Sequence, residues 1–142
     1  MRIVLDTNVL LVSFSRNSDF RIIFDCFLNE KITLCVTTDI LMEYEEIISR
    51  HMGREVATTV LQLIENAPNV EWIERYFKWH LISQDPDDNK FVDCAIACNA
   101  QYIVSNDRHF SVLKTIPFPK VILLNATEFT DILRSPTTFP AL

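Results

Sequence analysis

The sequence predicts an α/β fold, with a mostly parallel central sheet and helices on both faces. Three observations support this. Short apolar runs rich in β-branched residues, at 3–5, 32–36, 102–105 and 121–124, alternate with stretches whose apolar residues recur at helical spacing. Acids follow the first and fourth strands directly, at Asp6 and Asp107, where open α/β sheets bind their ligands. A length of 142 residues, 49% of them hydrophobic and 23% charged, suffices for one packed core and is too short for two.

The elements follow in order. Ile3, Val4 and Leu5 form a buried first strand ending at Asp6 and Asn8. The apolar stretch 9–14 suggests a short helix, broken by the polar run 15–19. Ser18 or Asp19 suits the N-cap of a helix reaching residue 29, with Ile22, Ile23, Cys26 and Phe27 on one face. After the second strand, Thr37, Thr38 and Asp39 offer caps for a helix to about residue 51. Ile40, Leu41, Tyr44, Ile47 and Ile48 line one stripe of it. A further amphipathic helix spans 55–66 and closes at Ala67-Pro68. The segment 70–82 accommodates one short strand and a connector. Its aromatics, Trp72, Tyr76, Phe77 and Trp79, are expected in the core, with stacking on bases as the alternative. A helix over about 88–99 precedes the fourth strand, and Asn125-Ala126-Thr127 opens a last helix to residue 134. Residues 1–134 thus read as a single domain. The tail 135–142, with two prolines, is expected to be loosely ordered, free to pack on the domain or on a partner.

Composition excludes several function classes. The one glycine, Gly53, leaves no P-loop and no dinucleotide-binding GxGxxG, both of which need backbone positions that glycine supplies. No apolar run approaches the roughly 18 residues of a membrane span, and the N-terminus lacks a signal-peptide pattern, so a cytoplasmic protein is expected. Cys26, Cys35, Cys94 and Cys98 then read as buried thiols, without CxxC or zinc-ligand spacing. The net charge of −6 weakens a nucleic-acid reading without removing it. Two bound divalent cations would move it to −2 and reverse the local field at their site.

Individual acids admit structural readings. Asp6 suits a helix N-cap or a turn, and Asp85, Asp87 and Asp88 suit the first turn of a helix, leaving Asp88 either a cap or a ligand. At about 100° per residue, Glu43 falls about 60° from Ile40, on the rim of its apolar stripe, and can reach inward or sit in solvent. Asp93 is harder to explain away. Phe91, Val92, Cys94, Ala95, Ile96, Ala97 and Cys98 surround it, and a buried carboxylate must pair, take up a proton or bind a metal. Asn89, one turn earlier, is placed to orient it.

Together the acids mean more. A parallel sheet sets Asp6 and Asp107 on one edge, and the helices bring in Glu43 and Asp93. Four carboxylates without matching bases repel, and hard divalent cations relieve that repulsion. An all-oxygen site with no His at ligand spacing suits Mg²⁺ or Mn²⁺. Such a site can activate water against a phosphodiester. Arg16, Lys90 and Arg108 are candidates for holding a phosphate backbone, or are plain surface charge.

At these residues the chain resembles the PIN-domain nucleases, most closely the VapC-like toxins of bacterial toxin–antitoxin pairs. The resemblance rests on DTNVL at 6–10, DILMEYEEII at 39–48, DPDDNKFVDCAIACNAQYIVSND at 85–107 and NATEF at 125–129, and runs over almost the whole chain. It implies a PIN-like three-layer fold and a Mg²⁺- or Mn²⁺-dependent ribonuclease whose catalytic and metal-binding acids are Asp6, Glu43, Asp93 and Asp107. Asn8, Asp88, Asn89 and Ser105 are possible accessory groups. Ser105-Asn106-Asp107 stands where Thr-Gly-Asp or Thr-Asn-Asp is usual, keeping the hydroxyl. A homodimer and an inhibitory antitoxin partner are likewise implied. An aspartyl-type phosphatase, or a non-catalytic PIN-fold module that binds RNA or protein, are the alternatives. The phosphatases carry a DxD pattern, and here the second position is Asn8.

Overall fold

The structure is a computed structural model that describes residues 1–74 and 77–139. Five strands, β1 (Arg2–Leu5), β2 (Thr33–Val36), β3 (Val70–Trp72), β4 (Tyr102–Val104) and β5 (Leu123–Leu124), form one sheet in the order β3-β2-β1-β4-β5. All pairings are parallel. Successive strand residues point to opposite faces, yet Ile3, Val4, Leu5, Leu34, Cys35, Val36, Ile103 and Val104 are all buried, so both faces of the central strands are covered. This is the expected three-layer α/β arrangement.

The helices are α1 (Thr7–Ser13), α2 (Arg21–Leu28), α3 (Thr38–Met52), α4 (Arg54–Asn66), α5 (Asn89–Ala97) and α6 (Ala126–Arg134). The Thr37 hydroxyl accepts from Ile40 N and starts α3, as its position suggested. Gly53, at φ +93°, divides α3 from α4; open space surrounds it, so the backbone angle rather than crowding calls for glycine. Asn125 caps α6 in a reciprocal box with Glu128. α5 packs on β1, β2 and β4, and α2 meets α6.

Several elements differ from expectation. Ser18 accepts from Phe20 N in the turn before α2 instead of capping the helix, whose N-cap is Phe20. Residues Arg108–Thr115 form a 3-10 helical run, an element not expected from the sequence. Trp72, Phe77 and Trp79 are exposed and not in the core, because β3 is an edge strand and the connector runs over the surface; Tyr76 lies outside the described residues. Residues 135–139 return to the domain: the Thr138 hydroxyl donates to Ile132 O (2.6 Å), and Phe139 packs on the core beneath Lys31. All four cysteines are free and buried. Among the described residues, no helix is long and apolar enough to cross a membrane.

One core bond fixes the end of β1. The Tyr44 hydroxyl, fully buried on α3, donates to the carbonyl of Leu5 (2.6 Å), next to Asp6. Tyr44→Phe leaves that carbonyl without this donor, and urea denaturation should show a loss of about 1–2 kcal/mol. A change below about 0.3 kcal/mol would show the bond to be incidental.

Candidate active site

Asp6 leaves the sheet at the carboxyl end of β1, its backbone N–H still donating to Val104 O on β4 (3.0 Å). Its side chain is only 6% exposed and accepts from the Ser105 hydroxyl (2.8 Å). The same Ser105 oxygen accepts from Asp107 N (3.0 Å). One hydroxyl therefore joins the two acids that follow β1 and β4. Burial, then the Coulomb repulsion of Glu43 and Asp107, pushes the Asp6 carboxyl up to about 6, against the lowering effect of its bonds to Ser105 and the Thr7 backbone.

Glu43 reaches inward from α3. The Thr7 hydroxyl, buried at the start of α1, donates to its Oε2, and Lys90 Nζ lies 2.7 Å from its Oε1. Lys90 is largely buried and also donates to Asp87 O (2.8 Å). Its ammonium thus serves Glu43 rather than the surface. Asp93, 2% exposed on α5, accepts from Trp79 N (3.1 Å). Asn89 exchanges two bonds with the Ile82 backbone. These two α5 residues pin the connector 79–82; Asn89 uses its amide on Ile82, one segment away from the Asp93 carboxylate it was expected to orient. Glu43, Lys90 and Asp93 line one groove of about 830 Å³, together with Met42, Lys78 and His80.

A second group converges beside Asp107. Asp85, Asp88, Asp107 and His109 each place a ligand atom within 4.8 Å of the others. Asp107 caps the 3-10 run by accepting from His109 N (2.9 Å), which turns the imidazole back toward the carboxylates. Asp88 Oδ2 and His109 Nδ1 are buried atoms without a hydrogen-bond partner. Burial, followed by repulsion from Asp85, Asp6, Asp107 and Glu43, pushes the Asp88 carboxyl up to about 7. A divalent cation fits this donor set, because it would satisfy both orphaned atoms and relieve the repulsion.

The expected acids are distributed around this edge as follows. Asp107 stands with Asp85, Asp88 and His109; Asp6 is adjacent and feels the charges of Glu43 and Asp107; Glu43 and Asp93 stand on the neighbouring groove. The expectation of no His at ligand spacing is corrected: Asp107-Arg108-His109 closes over a tight turn, a proximity that zinc-type spacing rules do not capture. Thr7 and Asp85 were also missed; Thr7 lies within the DTN motif already singled out. Asn8, Arg16 and Arg108 are exposed. Arg108 lines a pocket with Ser105 and Asp107.

A PIN domain model matches residues 2–109. The chain belongs to the PIN domain family. Solved structures similar to this PIN domain include VapBC2 from Rickettsia felis bound to a promoter DNA fragment (22% identity, TM-score 0.60, covering 88% of this chain and 98% of that one). They also include VapBC-1 from nontypeable Haemophilus influenzae (16%, 0.60, 89% and 99%) and the PIN domain endonuclease Utp24 (16%, 0.53, 87% and 84%). At these identities the likeness is one of fold. No curated protein matches the sequence.

The raised Asp6 carboxyl makes the metal-free protein pH-sensitive. Below about pH 4 the group is protonated in both states and has no effect. Above it the unfolded chain releases the proton first, so native stability falls as pH rises until about 6. In EDTA, urea unfolding at pH 4.5 and 8 should show wild type losing on the order of 2 kcal/mol more than Asp6→Asn across that interval. Parallel profiles would contradict the assignment.

Proposed function

We propose that this PIN domain is a divalent-metal-dependent endoribonuclease, acting on single-stranded RNA in the cytoplasm as the toxin of a toxin–antitoxin pair. The observation that carries the reading is the Ser105-linked pair Asp6–Asp107, set beside buried, unpartnered carboxylate and imidazole atoms. Asp6, Glu43, Asp93 and Asp107 remain the proposed catalytic acids, with Asp88 beside Asp107 as a further candidate ligand.

Mg²⁺ or Mn²⁺ held here would supply an activated water and a positive charge for the phosphodiester oxygens. The chain's own part is positional. Ser105 holds the Asp6 carboxylate and the Asp107 backbone at fixed separation, and Thr7 with Lys90 holds Glu43. A deprotonated acid of the cluster would take the water's proton as the water oxygen bonds to phosphorus; the P–O3′ bond would break, the 3′-oxygen taking a proton from solvent, to leave a 3′-hydroxyl and a 5′-phosphate. Arg16 and Arg108, both exposed, are the proposed backbone contacts; Lys90 would join them only by leaving Glu43. An antitoxin partner is supported by the VapBC and FitAB structures of similar fold, and a homodimer is proposed from the family resemblance.

Labelled single-stranded RNA should be cut in Mg²⁺ or Mn²⁺ and left intact in EDTA. Asp6→Asn should lower the rate at least about 100-fold, above the 10–100-fold typical of changes outside the ligand shell. Loss of phosphomonoester hydrolysis alone would favour the aspartyl phosphatase reading. Unchanged function in Asp6→Asn would favour a non-catalytic RNA- or protein-binding module.

A further inference from the structure

We propose that His109 gives this site a nitrogen ligand, so that it holds Mn²⁺ in preference to Mg²⁺. The inference rests on the metal-dependent reading above and adds to it a residue outside the four acids. His109 Nδ1 lies 3.4 Å from Asp107 Oδ1, 4.0 Å from Asp85 Oδ2 and 4.0 Å from Asp88 Oδ2. None of these separations makes a good hydrogen bond. They do match ligands of one ion: atoms about 2.1 Å from a shared centre stand roughly 3–4 Å apart.

The local structure holds the ring in place for this role. Asp107 Oδ1 already accepts from His109 N, so the acid and the imidazole belong to one tight turn. His109 Nδ1 is buried and has no partner, and the nearby Asp88 Oδ2 is in the same condition. A neutral imidazole with its proton on Nε2 presents a lone pair at Nδ1, the state a metal requires. Carboxylates alone suit Mg²⁺ and Mn²⁺ nearly alike, whereas an imidazole shifts preference toward transition metals. The competing use of His109 is as a protonated imidazolium, a built-in counter-charge for Asp85, Asp88 and Asp107.

Pulsed electron paramagnetic resonance on the Mn²⁺-loaded full chain, without RNA, separates the two. Wild type should show ¹⁴N modulation from a directly bound imidazole, and Mn²⁺ should be retained against excess Mg²⁺. His109→Ala should abolish the modulation and lower Mn²⁺ affinity about tenfold or more. His109→Asn offers an amide oxygen in its place and guards against misfolding in the alanine variant. It should still bind the ion but lose the ¹⁴N signal and most of the preference over Mg²⁺. No modulation in wild type, or modulation that persists in His109→Asn and so comes from His51 or His80, overturns the proposal. Metal-dependent RNA cleavage without ¹⁴N coupling would remove this inference alone. ¹⁴N coupling without cleavage would instead remove the ribonuclease reading.

Discussion

In parallel pairing, β1 and β4 advance together, so the residues that leave the sheet after Leu5 and Val104 emerge side by side. The register Leu5↔Val104 brings Asp6 beside Ser105, and the Ser105 hydroxyl then bonds both Asp6 and the backbone of Asp107. Two acids distant in the chain, Asp6 and Asp107, are thus fixed by strand pairing and one hydroxyl. Both bonds use only the side-chain oxygen, which serine supplies. The Tyr44 bond to Leu5 O ties α3, and with it Glu43, to the same strand end.

The charges around this edge are unevenly balanced. Lys90 neutralises Glu43 on the groove side, and Thr7 occupies the second oxygen of that carboxylate. On the other side Asp85, Asp88 and Asp107 face His109, whose charge depends on its protonation. Burial first, and then the mutual repulsion of these acids, raises the carboxyls at Asp6 and Asp88, so holding all of them ionised together without a cation is unfavourable. The fold therefore keeps a local excess of negative charge that packing alone does not relieve, which is the physical basis of the metal-dependent reading.

Much of this was legible in the chain, for local reasons. The apolar runs at β1, β2 and β4 and the stripe around Tyr44 are strong periodic signals, and Asp93 in an apolar helix announces a buried acid. What the sequence hid depends on three-dimensional turns. His109 folds back on Asp107 through the tight turn that opens the 3-10 run at Arg108–Thr115, a local geometry that the side-chain pattern alone does not specify. Asp85 and Asp88 are also satisfied by helix-dipole arguments, which masked their convergence. Lys90 resembled a surface base because its neighbour Glu43 belongs to a different helix. Trp72, Phe77 and Trp79 looked like core residues by hydrophobicity, but the edge position of β3 leaves them at the surface.

If the acids at the ends of β1 and β4, with Asp88 beside them, form a cation site that is partly protonated when empty, cation entry must displace protons. Calorimetric titration of Mn²⁺ near pH 6.5, repeated in buffers of different ionisation enthalpy, tests it directly. Saturable binding is expected, with a heat that changes with the buffer, because carboxyls raised to about 6 and about 7 give up protons to the solution as the ion enters. An absence of saturable heat, or binding with no proton release, would contradict it.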